Sequence, residues 1–297
     1  MKSKYLFFIL LSVIANNSYA GDFETAINTA RAKCSGISNK LSDLKKMAGI
    51  NTAITGVGIA TATGATVVGV VKASKDKDLE TILSVVDKNK PKSQNPSVND
   101  ILEIYDAYIK KYKTIDEAQT ALERESKTLG HWRTGLLGTS TATNVAGSII
   151  AGNNSIDDNL SIRIGECIES IDSLKDAVIQ ARTEGINVEN AKKIINECEM
   201  WKTADLSVIN NKARGAMLSS IVGATTGAAG TVTSAIANSN NIRNGDEKKE
   251  KNLNTASNVL AAGTAVASGA ATIFNAKQIS AVKKIIAIAD KCEEVLK

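Results

Sequence analysis

Proline is almost missing from this sequence, with two residues in 297, and aromatic side chains make up only 4% of it. So few helix breakers, combined with long hydrophobic patterns of period near 3.5, point to an all-α protein. Histidine occurs once, as His131, between Gly130 and the pair Trp132-Arg133. A single imidazole with no nucleophile motif beside it suits packing at a helix end better than acid–base or nucleophilic chemistry. No Gly-Lys-Ser/Thr follows any glycine-rich stretch, which removes a phosphate loop. Cys-x-x-Cys is absent as well, and with one histidine the usual zinc ligand sets cannot be assembled by motif. The acidic pair in Ser155–Asn159 lacks the later ligands of a calcium loop, and the remaining carboxylates show no paired spacing. These absences lead to the expectation of a non-enzymatic chain with no cofactor and no metal.

Strong charge is missing too. Lys and Arg total 36 against 31 Asp and Glu, a net charge of +5 that is too weak to argue for a nucleic-acid partner. The first twenty residues carry Lys2 and Lys4, the apolar run YLFFILLSVIA, and Ser18-Tyr19-Ala20 ahead of Gly21. This is the pattern of a secretory signal peptide, residues 1–20, so the chain is expected to be exported to the periplasm or envelope. No cysteine follows the expected cleavage point, which argues against a lipoprotein. The remaining chain keeps 34 basic against 31 acidic residues, about +3.

The most informative absence is local. Four long stretches hold no charged residue: Met47 to Val71, Thr134 to Ile156, Gly215 to Asn241 and Asn252 to Ala276. All are built of Gly, Ala, Ser and Thr with a sparse set of Val, Ile and Leu. In the third, small residues recur every fourth position at Gly215, Ser219, Gly223, Gly227, Thr231 and Ala235, along one slowly drifting helix face that admits a close neighbour. Beside it, Leu218, Val222, Thr225, Ala229, Val232 and Ile236 read as a heptad seam. A similar seam runs through Ile50, Ile54, Val57, Thr61, Gly64, Val68 and Val71 in the first stretch, and through Val259, Val266 and Ile273 alongside Leu260, Ala267 and Phe274 in the fourth. Interior glycines cost a helix about 1 kcal/mol each relative to alanine, so packing must hold these helices together. The small-residue periodicity is similar to that of glycine-zipper membrane segments, over the four stretches alone, and no functional residue is carried over from it.

Four cysteines in an exported chain suggest two disulfides, with three connectivities open by counting. The internal pattern narrows them. Cys34 lies 15 residues before Gly49 and Cys198 lies 17 before Gly215; Cys167 lies 15 after Gly152 and Cys292 lies 16 after Ala276. Cysteine, uncharged span, connection, uncharged span, cysteine occurs twice, as in a duplicated antiparallel helical hairpin of four-helix type. The expected organisation is hairpin 1 over 21–185, with an insertion over 72–131 at its tip, and hairpin 2 over 186–297. Residues equally far from a hairpin tip face each other, which favours Cys34–Cys167 and Cys198–Cys292; buried free thiols are the alternative.

The insertion holds a short helix around Leu79, Ile82, Leu83 and Val86, then NKPKSQNP with both prolines, then a helix start at Ser97 with Asp100 three residues on. The helix that follows carries Tyr105, Tyr108 and Tyr112, a candidate surface for a protein partner or a glycan, or simply a packed face with its hydroxyls at the rim. Between the halves, a break is expected at Glu184-Gly185.

Two functional readings remain. Each uncharged stretch exceeds the roughly 20 residues needed to cross a hydrocarbon core, small-xxx-small faces serve membrane helices, and Trp132 stands where an interfacial aromatic would. Against this, Leu136, Leu137, Val145, Ile149 and Ile150 together supply only about −1.5 to −3 kcal/mol on the insertion scale. The first expectation is therefore a structural or interaction protein of the bacterial envelope that binds a protein partner or itself through small-residue helix faces. The second is a membrane-inserting hairpin protein.

Overall fold

The computed structural model describes residues 21–86, 114–239, 242 and 247–297. The expected signal peptide, the proline stretch, the Ser97 helix start and Tyr105, Tyr108 and Tyr112 lie outside the described residues. Those described are helical, with no strand among them. In chain order they form α1 (21–34), α2 (Ile37–Val86), α3 (Ile115–Asn153), α4 (Asp158–Thr183), α5 (Glu189–Cys198), a 3₁₀ segment (Glu199–Thr203), α6 (Ser207–Ala237) and α7 (Glu247–Leu296).

Local chemistry marks the breaks. Gly36 takes φ 74° between α1 and α2, a left-handed turn that a side chain rarely adopts. Asp157 caps α4 by accepting from the Leu160 backbone N–H at 2.7 Å. The helix closes at Glu184, and Gly185 follows at φ 75°. At Lys72 and His131, by contrast, there is no break. The α2 helix runs on to Val86 and α3 is already formed at Ile115, so the short helix read around Leu79 is the continuation of α2.

The chain divides into two compact units, one of residues 1–50, 150–215 and 274–297, the other of residues 51–149 and 216–273. The expected hairpins 21–185 and 186–297 each contribute to both.

The first unit has an ordinary hydrophobic core. Ile37, Leu41, Ile164, Ile171, Leu174, Ile194, Ile209 and Val282 are buried there, while its charges face out in pairs such as Lys33–Glu166 at 3.1 Å. Glu293 accepts from the Ser38 backbone N–H at 2.9 Å and so satisfies one of the unpaired donors at the start of α2. Both cysteine pairs are in this unit: Cys34 with Cys167, and Cys198 with Cys292, at S–S distances of 1.99 and 2.02 Å.

The second unit is built the other way round. Its buried positions step by three and four residues along each helix, the spacing that keeps one face of a helix on its neighbours. On α2 they are Asn51, Thr55, Gly58, Ala62, Ala65, Gly69 and Lys72; on α6, Ala216, Ser220, Gly223, Gly227, Gly230, Ser234 and Ala237. On α7 they are Asn254, Ser257, Ala261, Thr264, Ser268 and Ala271, and on α3 Ser126, Gly130, Arg133, Leu137, Ser140, Asn144 and Gly147. Leu137 is the one large aliphatic among these; Ala267 on α7 is buried beside them, and beyond Lys72 and before Ser126 the unit also buries a small apolar cluster of Ile82, Ala118 and Leu122.

Contacts between these faces fix direction. Ser140 meets Gly58, and Gly69 meets Arg133, so α2 and α3 run antiparallel. Thr226 meets Thr264 and Ser257 meets Gly230, which sets α6 against α7 in the same sense. The helices are thus joined into hairpin-like pieces. Here the expected seams are corrected in part: Leu218, Val222, Thr225, Ala229, Val232 and Ile236 face outward, as do Ile50, Val57, Val71, Val259, Val266 and Ile273, while Ile54, Thr61, Gly64, Val68, Leu260 and Phe274 are half-buried and Ala267 is buried. The small residues one step round each helix form the buried face instead, because only they allow the backbones so close.

Candidate functional site

The inversion of the second unit is its most distinctive chemical feature. Among the described residues of that unit fourteen large aliphatic side chains are exposed, including Val67, Val70, Ile149, Leu218, Val232, Val259 and Ile273, and Val266 reaches 74%. A half-exposed Val, Ile or Leu forgoes on the order of 1 kcal/mol of burial, so fourteen forgo as much as the whole stability of a typical domain.

Inside, hydroxyl and amide groups bond from helix to helix. Ser140 Oγ donates to the Gly58 carbonyl at 2.9 Å, Ser257 Oγ to the Gly230 carbonyl at 3.0 Å, and Thr272 Oγ1 to Thr55 Oγ1 at 2.8 Å. Asn144 Nδ2 donates both to the Ser140 carbonyl and to Ser268 Oγ, each at 2.9 Å. Outward-facing Thr residues donate to their own helix, as Thr225 does to the Ile221 carbonyl and Thr233 to that of Ala229. Such internal satisfaction is what the exclusion of water requires, and Ser220 Oγ, Asn238 Oδ1 and Asn258 Oδ1 are buried exceptions among the described residues.

Glycine is needed where helices touch. A Cβ at Gly223 would stand 2.7 Å from Asn144 Oδ1, and one at Gly227 would stand 2.6 Å from Thr141 Oγ1. At Gly69 the conflict is with Asn258 Oδ1, at 1.8 Å. Of the small residues read from sequence as a packing face, Gly223 and Gly227 are therefore at the contact. Gly215 and Ser219 are half-buried, Gly215 lying against the Phe274 ring, and Ala235 is exposed. The four-residue step drifts around the helix, so it leaves the buried face before Ala235.

One end of this unit gathers charge. Lys72, 1% exposed, is paired to Asp76 at 2.6 Å and Glu250 at 2.9 Å, and Ser126 Oγ donates to Asp76. Arg133, one residue outside the uncharged stretch and fully buried, donates to Asn254 Oδ1 at 3.2 Å and the Asn254 carbonyl at 2.8 Å. Burial lowers its pKa to about 10, partly offset by the attraction of Asp76. It stays charged at neutral pH. The cluster thus balances two cations with two carboxylates. His131 and Trp132 are exposed, so the packing role expected for His131 belongs to Arg133. Nothing in the sequence separates the buried arginine from its exposed neighbours except its place in the three-four step.

In the first unit, the sulfurs of Cys34, Cys167 and Cys292 all lie within 4.8 Å of one another, because the two bridges pack side by side. Cys34 and Cys198 close the C-terminal ends of α1 and α5, where the helix dipole disfavours a thiolate. The cluster suits neutral, bonded sulfur rather than a metal. Elsewhere on this unit, Glu199 raises the Lys175 pKa through a hydrogen bond, and Lys192 lowers that of Glu189 in the same way; both groups are on the surface.

By length and composition, two of the described helices are apolar enough to cross a membrane, one within Gly21–Leu83 and one within Lys248–Leu296. Of their most apolar windows, 28% and 33% is buried inside the fold. Neither a protein-family model nor a curated protein nor a solved structure matches the chain.

Proposed function

We propose that the chain is an exported membrane protein of the bacterial envelope. Residues 51–71, 134–149, 216–237 and 255–273 cross the bilayer as a duplicated four-helix assembly of two antiparallel hairpins. The observation that carries this reading is the exposed aliphatic belt around an interior of small, hydrogen-bonded residues. Lipid offers no hydrophobic gain for burying leucine between helices, so membrane helices associate through Gly, Ala, Ser and Thr and turn their large apolar residues outward. That is the arrangement of the second unit.

The disulfide-bearing segments belong in an oxidising compartment such as the periplasm, and the signal-like first twenty residues agree with it. Four crossings return the chain to the side it started from. Segments 21–50, 150–215 and 274–297, which carry the four cysteines, then share the oxidising side. The role is structural and interaction-based, not enzymatic: a disulfide-closed body anchored by a compact membrane bundle, available to a protein partner or to further copies of itself.

The test is flotation of the oxidised chain, residues 21–297, with phospholipid vesicles, followed by alkaline carbonate extraction. Flotation with resistance to extraction is expected. A chain that stays in solution as a monomer would overturn the proposal.

A further inference from the structure

The two disulfides touch at one point of the first unit. Each sulfur comes from a different helix, Cys34 from α1, Cys167 from α4, Cys198 from α5 and Cys292 from α7, and Cys292 lies within 4.8 Å of both sulfurs of the other bridge. All four are 0 to 1% exposed, so solvent thiols reach them only through local opening. The ten-residue α5 ends at Cys198, and a helix of that length is marginal without its packing.

We propose that Cys292 is an exchange centre that couples the two bridges into one redox unit. A dithiol reductant attacks Cys198, and Cys292 leaves as the thiolate. The second sulfur of the dithiol then closes on the first, so the reductant becomes a disulfide and Cys198 is released as a thiol. The Cys292 thiolate next attacks Cys34 or Cys167. A new bond to Cys292 forms as the Cys34–Cys167 bond breaks, and the displaced sulfur leaves as a thiolate that takes up a proton. This second step consumes no electrons. Its product ties α7 to α1 or α4 and leaves α5 free. Loss of one bridge thus releases the α5 connection while α7 stays held, a reductive release built into the sulfur cluster. The inference rests on the first unit alone and stands whether or not the second unit enters lipid.

The test is to map the free thiol in Cys198→Ser, which begins with Cys292 unpaired. After incubation at mildly alkaline pH, acid quench, alkylation of the unfolded chain and peptide mapping, label is expected on Cys34 and Cys167 as well as Cys292. Label on Cys292 alone overturns the proposal. Cys292→Ser provides the comparison, with most label expected to remain on Cys198; an equal spread from Cys198 removes Cys292 from its special position. Should the serine variants not fold, the wild-type chain is treated with substoichiometric dithiothreitol and quenched. Singly bridged species linking Cys292 to Cys34 or Cys167 are then expected, and finding only the two original bridges refutes the exchange.

Discussion

Asn144 on α3 donates to Ser268 on α7 at 2.9 Å, and Ser268 Oγ in turn lies 3.1 Å from Asn144 Oδ1. The pair sits in uncharged sequence where both side chains are fully buried. The same amide also reaches the Ser140 carbonyl, so one residue joins its own helix to another. Polar contacts of this kind contribute about 0.6 kcal/mol on average, and up to about 1.7, between membrane helices. Ser268→Ala is expected to lower stability by that amount, and Asn144→Leu by more, since leucine keeps the side-chain length but loses the bond to the Ser140 carbonyl as well. A double-mutant cycle measured by denaturant unfolding in detergent should give a coupling of the same order. Additive losses would mean that the two side chains do not act together.

Gly223 and Gly227 should tolerate no side chain. Even alanine at either site places a Cβ under 3.0 Å from a neighbouring polar atom. Gly223→Ala and Gly227→Ala are expected to cost about 1 to 3 kcal/mol by overpacking, with leucine worse. Ala235→Leu, on the exposed side of the same helix, should be neutral within about 0.5 kcal/mol. Thermal melts of the three variants check this, and equal losses at all three would contradict the close approach.

Helical class and long helices are legible in the sequence because low proline content and the absence of charge over four stretches leave few other structures. The cysteine spacing also points to the pairs Cys34–Cys167 and Cys198–Cys292, since it reflects distance from a hairpin turn. What the sequence does not show is which face of each uncharged helix turns inward. Apolar and small residues each recur at steps of three and four, and the usual rule that large apolar residues go inside selects Leu218, Val222 and Val232. The rule assumes water outside. With small residues needed for backbone contact, the buried set shifts one position round to Ala216, Ser220, Gly223, Gly227 and Gly230. The pairing of Lys72 with Glu250, 178 residues apart, has no local signal at all.

Trp132 offers a probe of the surroundings. It is 65% exposed beside the uncharged stretch of α3, whereas Trp201 is buried in the first unit. In a Trp201→Phe background, emission should shift to the blue on addition of vesicles, as an indole moves from water to the headgroup boundary. Lipids brominated near the headgroup should quench it more than lipids brominated at the chain end. Emission unaffected by lipid would place Trp132 in water.

Removing either bridge should destabilise the first unit strongly. The bridges span 133 and 94 residues, and loops that long limit the unfolded chain enough to stabilise by about 5 kcal/mol each in the chain-entropy description. Paired serine variants, Cys34→Ser with Cys167→Ser and Cys198→Ser with Cys292→Ser, remove one bridge without leaving a free thiol. Urea unfolding of each is expected to show a loss of several kcal/mol. A midpoint unchanged from the wild type would mean that the cluster contributes nothing to holding the helices.

The sharpest separation between lipid and water comes from a charge on the belt. Val266 is 74% exposed, lies mid-way along the uncharged part of α7, and touches little inside the fold. If that position faces water, Val266→Lys is an ordinary surface substitution and changes stability by less than about 0.5 kcal/mol. If it faces the hydrocarbon core, a lysine at the centre of the helix costs about 2.5 to 3.5 kcal/mol. Val259→Lys, seven residues away on the same stripe and nearer the end of the span, should cost less because its amine can reach the headgroups. The expected result is a drop in the vesicle-bound fraction that is larger for Val266→Lys than for Val259→Lys, with helix content unchanged by circular dichroism. Equal flotation of both variants and the wild type would show that the belt is covered by something other than lipid.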